Sequence, residues 1–194
     1  MAKVTENDAG TPVPQRLLAA ATRLFAERGY DRTSVQEIVE AAGVTKGALY
    51  HYFGSKDDLF MAALALPIDP RELLAPVVAA GPDGAGERLV RTLLSAWDDP
   101  QVQPALLAVA RSVIGDDGAR LVTEGFIPVV VGPALAALVV DRPEVRVPLV
   151  ASQIIGLIVT RYVVALPPLA LMPSEDVVAR VGPTLQRYLT GDLP

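Results

Sequence analysis

The sequence predicts an all-α fold, and three observations lead to that prediction. Of its 194 residues, 51% are hydrophobic and only 5% are aromatic, a composition that suits helices packed on helices. Apolar residues recur at intervals of three and four through the first third of the chain. Glycine, proline and aspartate divide the later apolar runs into segments of helical length.

The first element follows a polar segment. Residues 1–12 are predicted to be a disordered arm, and because they lack the apolar stretch of a signal peptide, a cytoplasmic protein is expected. Pro14 opens the first helix and Gly29 follows its end. The predicted inward face of this helix comprises Leu17, Leu18, Ala21, Leu24 and Phe25.

Two short amphipathic helices come next, separated by a tight turn. The first begins at Thr33 or Ser34, because two capping boxes are possible. These boxes pair Thr33 with Gln36 or Ser34 with Glu37. Gly43 supplies the left-handed residue that ends this helix, and Thr45 caps the second one.

The second of these helices has an unusual outward face. Leu49 and Phe53 lie four residues apart and are predicted to face inward, and Val44 and Tyr52 are also assigned to the core. The opposite face contains a glycine, which costs about 1 kcal/mol relative to alanine in a helix interior but lets a partner approach the backbone. The outward residues are Lys46, Gly47, Tyr50 and His51.

Two helices joined by a glycine-containing turn indicate a helix-turn-helix motif. The second helix of such a motif lies in the major groove of DNA, with its N-terminal residues towards the base edges. Its free N–H groups and the positive end of its dipole favour phosphate. Tyr50, His51 and Lys56 are expected to add donors along the DNA backbone. Ordinary solvated surface is the alternative interpretation of Lys46, Tyr50 and His51.

The segment VTKGALYHYFGSKDDLF, preceded by ERGYDRTSVQEIVEAAG, resembles the DNA-binding region of the TetR family of transcriptional regulators. The resemblance extends from Arg16 to Leu66 without a gap. It implies a three-helix DNA reader, a connecting fourth helix, and a C-terminal domain that binds a small molecule and dimerises. Family members often have a basic residue where this chain has Gln36, so that contact is expected to be altered. The predicted DNA contacts are Thr33, Ser34, Gln36, Thr45, Lys46, Gly47, Tyr50, His51 and Lys56.

The resemblance and the turn signals together predict four segments. Gly54 and Ser55 end the third helix, Ser55 with Asp58 caps the fourth, and Pro67 closes it. The predicted segments are a disordered arm (1–12), a helix-turn-helix DNA-binding domain (13–54), a connecting helix (55–66) and a ligand-binding and dimerisation domain (67–194).

The C-terminal half is predicted to contain helices over 70–80, 86–98, 101–114, 117–140, 143–166 and 174–190, with kinks or breaks at several prolines. The run from Val147 to Thr160 has fourteen uncharged residues, fewer than the roughly 20 that a membrane helix needs. A membrane span is therefore not expected. Because helices that are apolar nearly all round are usually buried, the last two long helices are predicted to pair with their symmetry mates in a homodimer.

Ligand-binding residues are sought where a polar side chain or an aromatic ring lies in an apolar helix. Arg161 must be paired, reach solvent or meet a ligand carboxylate, and pairing is the favoured interpretation. A purely structural role is the alternative for every residue of the set. The candidates are Trp97, Arg111, Phe126, Gln153, Arg161 and Tyr162, with Met172 beside them.

Charge and composition limit the function. The net charge is −5, with −1 on residues 1–66 and −4 on the remainder, yet two of the three lysines, Lys46 and Lys56, flank the only histidine, His51. Few phosphate contacts per monomer mean that a dimer is needed for useful affinity. The chain has no cysteine. No phosphate loop or metal motif stands out, so neither a cofactor nor enzymatic activity is expected.

These observations predict a ligand-responsive transcriptional regulator. It is expected to act as a repressor, to bind a pseudo-palindromic double-stranded operator as a homodimer, and to be released by a small apolar effector. A helical protein-interaction module without specific DNA binding is the alternative. Sequence-specific, salt-dependent duplex binding distinguishes the two.

Overall fold

The computed structural model describes residues 11–112 and 122–193. Within these ranges the chain forms helices and no strand, which confirms the predicted all-α class. A short 3₁₀ turn, Leu169–Leu171, precedes the last helix. The helices are α1 (Val13–Arg28), α2 (Val35–Ala42), α3 (Lys46–Phe53), α4 (Lys56–Leu64), α5 (Pro70–Ala79), α6 (Ala85–Trp97), α7 (Gln103–Ser112), α8 (Val122–Ala136), α9 (Pro143–Val163) and α10 (Ser174–Thr190).

The predicted C-terminal spans differ from these helices mainly at their ends. The helix predicted over 143–166 ends at Val163. Proline disfavours the α conformation of the residue before it, which is Leu166 here, and Ala165 takes a left-handed φ of 53°. The helix predicted over 117–140 ends at Ala136. Parts of the predicted elements, namely 1–10, 113–114 and 117–121, lie outside the described residues.

The prolines predicted to break helices have different effects. Pro76, Pro148 and Pro183 lie inside helices that continue past them. Pro128 lies instead in the π-helical turns Val122–Val131 that open α8, where the ordinary hydrogen-bonding pattern is not kept. A proline in these sequences therefore does not by itself mark the end of a helix.

The described residues form two units, 11–65 with 122–125 and 66–112 with 126–193. In the first unit, α1 packs against α2 and α4 through a fully buried apolar face. The rings of Phe25 and Phe60 meet edge to face at 5.1 Å between centroids. This packing fixes the scaffold on which α2 and α3 are held.

In the second unit, α6 and α10 make the most extensive helix–helix contact. A Cβ on Gly86 would overlap the carbonyl oxygen of Gly182, and a Cβ on Gly182 would lie 2.7 Å from Cγ of Glu87. The two glycines therefore permit an approach that no larger residue allows. The buried core of this unit includes Leu89, Val90, Leu94, Leu135, Val150, Val178, Leu185 and Leu189.

The helix α9 is longer than the uncharged run in the sequence suggested. It has 21 residues, and an 18-residue stretch of it has a mean hydropathy of 1.3, so by length and composition alone it is able to cross a membrane. Core helices of soluble proteins meet the same criteria. Two buried arginines lie in it, Arg146 and Arg161, which are 2% and 7% exposed. Arg146 donates to the Asp141 carboxylate at 2.5 Å and to the Tyr188 carbonyl at 2.9 Å, which offsets the cost of burying its charge.

Candidate nucleic-acid interface

The start of α2 forms the second of the two predicted capping boxes. The Glu37 N–H donates to the Ser34 hydroxyl at 3.2 Å, and the Ser34 N–H donates to the Glu37 carboxylate at 2.8 Å. These hydrogen bonds to Ser34, with the nearby Arg28 guanidinium, hold the pKa of the Glu37 carboxyl below its usual value. Glu37 therefore stays ionised and keeps the amino end of α2 in place.

The turn between α2 and α3 has the predicted left-handed glycine. Gly43 has φ 63° and ψ 39°. The Val44 N–H donates to the Val39 carbonyl at 2.9 Å, which closes the end of α2. Thr45 then caps α3, because its hydroxyl accepts a hydrogen bond from the Ala48 N–H at 3.3 Å. Together these contacts form the helix-turn-helix.

The first turn of α3 is open to solvent. Thr45, Lys46 and Gly47 are all exposed, and the Thr45 hydroxyl proton has no acceptor among the residues described. A Cβ on Gly47 would find its nearest neighbour, the Thr45 hydroxyl oxygen, at 3.8 Å, an ordinary contact distance. Packing within the chain therefore does not require glycine at this position. The free N–H groups at this end suit an anion.

Exposed aromatic side chains follow the first turn of α3. The side chains of Tyr50 and Tyr52 are 51% and 48% exposed, and His51 is exposed between them. The rings of His51 and Tyr52 meet edge to face at 4.9 Å between centroids. The prediction that Tyr52 belongs to the core is wrong. Tyr52 follows the buried Leu49 by three residues, which is about 300° of rotation around the helix axis. Its side chain is therefore about 60° away from that of Leu49 and reaches solvent.

Gln36 lies on the exposed side of α2. Its amide donates to the Glu40 carboxylate at 2.5 Å, one helical turn further on. This pairing is along the helix surface and leaves the residue accessible, but contact with DNA would have to compete with Glu40. Gln36 therefore brings no positive charge to a phosphate and is already hydrogen-bonded within α2.

Thr33 requires a correction. Its side chain is fully buried, and its hydroxyl donates to the carbonyls of Gly29 at 2.8 Å and Leu24 at 3.1 Å. A buried hydroxyl that is already hydrogen-bonded is not accessible to a phosphate. Thr33 therefore fixes the end of α1 against the start of α2 and is removed from the predicted DNA contacts.

Lys56 also differs from its prediction. Its ammonium group donates to the Tyr30 carbonyl at 2.7 Å and lies 3.8 Å from the centroid of the Tyr30 ring. The Tyr30 hydroxyl in turn donates to the Asp57 carboxylate. Burial and Asp57 raise the pKa of Tyr30, so its hydroxyl remains a donor. Sequence reasoning missed Tyr30, since nothing local marks a residue whose partners lie 26 and 27 positions away.

Two family models match the chain. Residues 17–63 match the model described as bacterial regulatory proteins, tetR family, and residues 83–189 match the model described as tetracyclin repressor-like, C-terminal domain. The second match alone covers more than half of the chain. The chain belongs to the TetR family. Members of this family are transcriptional regulators, and the helix-turn-helix described above is the part that the first model covers.

Curated relatives of this TetR-family chain are similar over part of their length. The HTH-type transcriptional repressor AcnR of Corynebacterium glutamicum is 35% identical over 98 residues, which are 50% of this chain and 47% of the relative. The HTH-type transcriptional repressor Rv1474c of Mycobacterium tuberculosis is 34% identical over 117 residues, 60% of this chain and 58% of the relative. The chain thus matches about half the length of each of these two relatives.

A solved structure is similar over nearly the whole chain. The crystal structure of a TetR-family regulator from Streptomyces coelicolor A3 is 35% identical in sequence. The match covers 93% of this chain and 98% of that one, with a TM-score of 0.51. Both halves of this TetR-family chain therefore have counterparts in one solved relative.

Three of the predicted ligand-binding residues of this TetR-family chain lie together in the second unit. The ring of Trp97 stacks on that of Tyr162 at 5.1 Å between centroids, and the Tyr162 hydroxyl donates to the Asp98 carboxylate at 2.8 Å. Arg161 donates to the carbonyls of Leu169 at 2.6 Å and Met172 at 2.9 Å. Main-chain carbonyls thus take the place of the predicted charged partner of Arg161.

The other three predicted ligand-binding residues are not part of this cluster in the described contacts. Arg111 is exposed near the end of α7, and Phe126 is half-buried in α8. Gln153 is half-buried in α9, and its amide lies 3.5 Å from the hydroxyl of the adjacent Ser152. The sequence signal identified unusual residues in apolar helices but not their mutual positions.

Two grooves on the second unit are large enough for a small molecule. One, of about 520 Å³, lies between the start of α9 and the end of α10, and Arg142 and Arg187 are at its edge. The other, of about 460 Å³, lies between α5 and α8. None of the predicted ligand-binding residues lines either of these two grooves. The α5–α8 groove is lined by Arg71, Ala75, Val78, Ala79, Val129, Val130, Pro133, Ala134 and Ala137.

Proposed function

We propose that this chain is a ligand-responsive transcriptional repressor that binds a pseudo-palindromic operator as a homodimer. The observation that carries the proposal is the exposed amino end of α3, where a cap, a lysine and a glycine with room for a side chain follow one another. This arrangement lets the helix backbone approach a duplex closely while its N–H groups face phosphate. The proposed contacts are Ser34, Gln36, Thr45, Lys46, Gly47, Tyr50, His51 and Tyr52.

The proposed dimer uses the outward faces of α9 and α10. Val145 and Ile155 are 43% and 40% exposed on α9 and lie about 80° apart around the helix axis, and the half-buried Leu149 follows Val145 one turn later. Val145 and Ile155 therefore belong to one exposed face of the helix, which a second copy is able to cover. A dimer with such an interface would hold two copies of α3 about 34–36 Å apart, which is the spacing of successive major grooves.

The proposed effector is a small apolar molecule bound in the second unit. The groove between α5 and α8 is walled almost entirely by alanine, valine and proline, and its volume of about 460 Å³ falls in the range of ligand pockets. The stacked rings of Trp97 and Tyr162 are the other apolar site considered. For useful release of DNA, the effector must favour the non-binding state by a coupling of about 1–3 kcal/mol.

The proposal is tested by selection of bound fragments from the organism's own genomic DNA. The expected result is enrichment of one motif with two half-sites related by a dyad and bound more weakly at high salt. Equal affinity for the selected and for unrelated duplexes would instead support a protein-interaction module. The genes beside the motif would indicate the effector, and a cytoplasmic location follows from the proposed partner.

A further inference from the structure

The ammonium group of Lys56 is held inside the first unit. It donates to the Tyr30 carbonyl at 2.7 Å and stands 3.8 Å from the centre of the ring of the same residue. Burial lowers the pKa of Lys56, while the carboxylates of Asp31, Asp57 and Glu37 favour its charged form. The charge of Lys56 therefore already has partners, and three carboxylates near it oppose the approach of a phosphate.

Tyr30 is itself fixed from several sides. Its ring stacks on Phe25 at 5.7 Å and meets Phe60 edge to face at 5.1 Å, and its hydroxyl donates to Asp57. Phe25 belongs to α1, whereas Phe60 and Asp57 belong to α4. Lys56 thus joins a cluster that connects the turn after α1 to the first turn of α4.

The contrast with Lys46 is direct. Lys46 is exposed on the first turn of α3, and no hydrogen bond or ion pair involves its ammonium group within the described parts of the chain. A side chain of that kind is free to reach a phosphate. Lys56, ten residues later, is half-buried and bonded to the main chain.

We propose that Lys56 is a positioning residue for DNA binding and not a phosphate ligand. By binding Tyr30, it fixes the start of α4 against the turn between α1 and α2. Only Gly54 and Ser55 separate α4 from the end of α3, so a displaced first turn of α4 would displace α3 as well. This inference rests on the proposed operator binding. It gives Tyr30 a role in that binding, because Tyr30 holds Lys56 and the start of α4 in place.

Salt dependence separates the two roles. Operator affinity is measured between low and high salt for the wild type, Lys46→Met and Lys56→Met. Loss of a phosphate contact lowers the slope of log affinity against log salt by about 0.9 per subunit, and this is expected for Lys46→Met. For Lys56→Met we expect an affinity at least tenfold lower with an unchanged slope, because fewer molecules hold α3 in the binding position while those that bind keep every phosphate contact.

Tyr30→Phe is the matched second variant. It keeps the ring and the main-chain carbonyl and removes only the hydroxyl that binds Asp57, so folding is expected to persist even if Lys56→Met unfolds. A smaller loss of affinity with an unchanged slope is expected. Circular dichroism melting of each variant ensures that binding is compared between folded proteins.

Each other outcome overturns the inference. A slope lowered in Lys56→Met as in Lys46→Met would make Lys56 a phosphate ligand. Unchanged affinity in both Lys56→Met and Tyr30→Phe would remove any role in binding. If the wild type itself showed no sequence-specific duplex binding, the proposed function would fail and the inference with it. In the first two outcomes the proposed function would remain.

Discussion

The outward faces of α3 and α9 both leave large side chains in solvent, but they differ in charge. The α3 face carries Lys46 and His51 beside exposed tyrosines. Between Val145 and Gly156, α9 has a single charged residue, Arg146, and that residue is buried. One face therefore suits a polyanion, and the other suits an apolar surface such as the same face of a second copy.

Each face also contains a glycine that the chain's own packing does not require. A Cβ on Gly156 would have no atom within 4 Å, and a Cβ on Gly47 would meet only an ordinary contact at 3.8 Å. Both residues lie within helices, where glycine is destabilising relative to alanine. In both helices, a glycine that internal packing does not require marks a surface that a partner is able to approach. The charge and polarity of the neighbouring residues indicate which kind of partner it is.

The largest expected effect comes from placing a charge on the α9 face. Ile155→Glu is expected to convert the proposed dimer to a monomer, because a carboxylate in an apolar interface has no partner. Loss of two-site binding would lower operator affinity by about 10²- to 10⁴-fold. Sedimentation velocity at micromolar concentration and operator titration are the measurements.

A matched control for that variant is Ser95→Glu, which adds the same charge at an exposed position of α6. It is expected to remain dimeric. If Ile155→Glu sedimented as the wild type does, the α9 face would not be the dimer interface. Only the α3 face would then have an assigned partner.

An intermediate effect is expected on the α3 face. Lys46→Ala and Tyr50→Ala should each weaken operator binding by about 1–3 kcal/mol without changing the melting temperature, because both side chains are exposed. Fluorescence anisotropy with a labelled operator measures the affinity. The control is Arg23→Ala, which removes an exposed cation paired with Glu27 on α1. Unchanged affinity in the double variant would refute the assignment of contacts.

The local features of the helix-turn-helix could be predicted because their causes are local. The Ser34 cap, the left-handed Gly43 and the Thr45 cap each depend on residues within five positions. The same local pattern left Thr33 and Ser34 equivalent as caps. Only the carbonyls of Leu24 and Gly29, brought close by the fold, decided that Thr33 is buried.

Residues whose roles depend on distant partners could not be assigned from the sequence. Lys56 looked like a free cation because Tyr30 lies 26 positions earlier. In the second unit, Asp98 was missed, although it accepts hydrogen bonds from Tyr162 at 2.8 Å and Ser174 at 2.6 Å. Helical periodicity identifies apolar faces, but it carries no information on which polar groups meet across them.

The smallest and most specific test exchanges the two glycines for alanine. Gly47→Ala and Gly156→Ala should each stabilise the isolated fold by up to about 1 kcal/mol, because alanine favours the helix and neither Cβ meets a close neighbour. Their effects on association should differ. Gly47→Ala is expected to weaken operator binding and leave dimerisation unchanged, whereas Gly156→Ala is expected to weaken dimerisation first. Thermal unfolding, sedimentation and operator titration of both variants measure the three quantities. If Gly47→Ala weakened dimerisation, or if Gly156→Ala weakened operator binding while the protein stayed dimeric, the two faces would not have different partners, because each substitution adds one methyl group to one face alone.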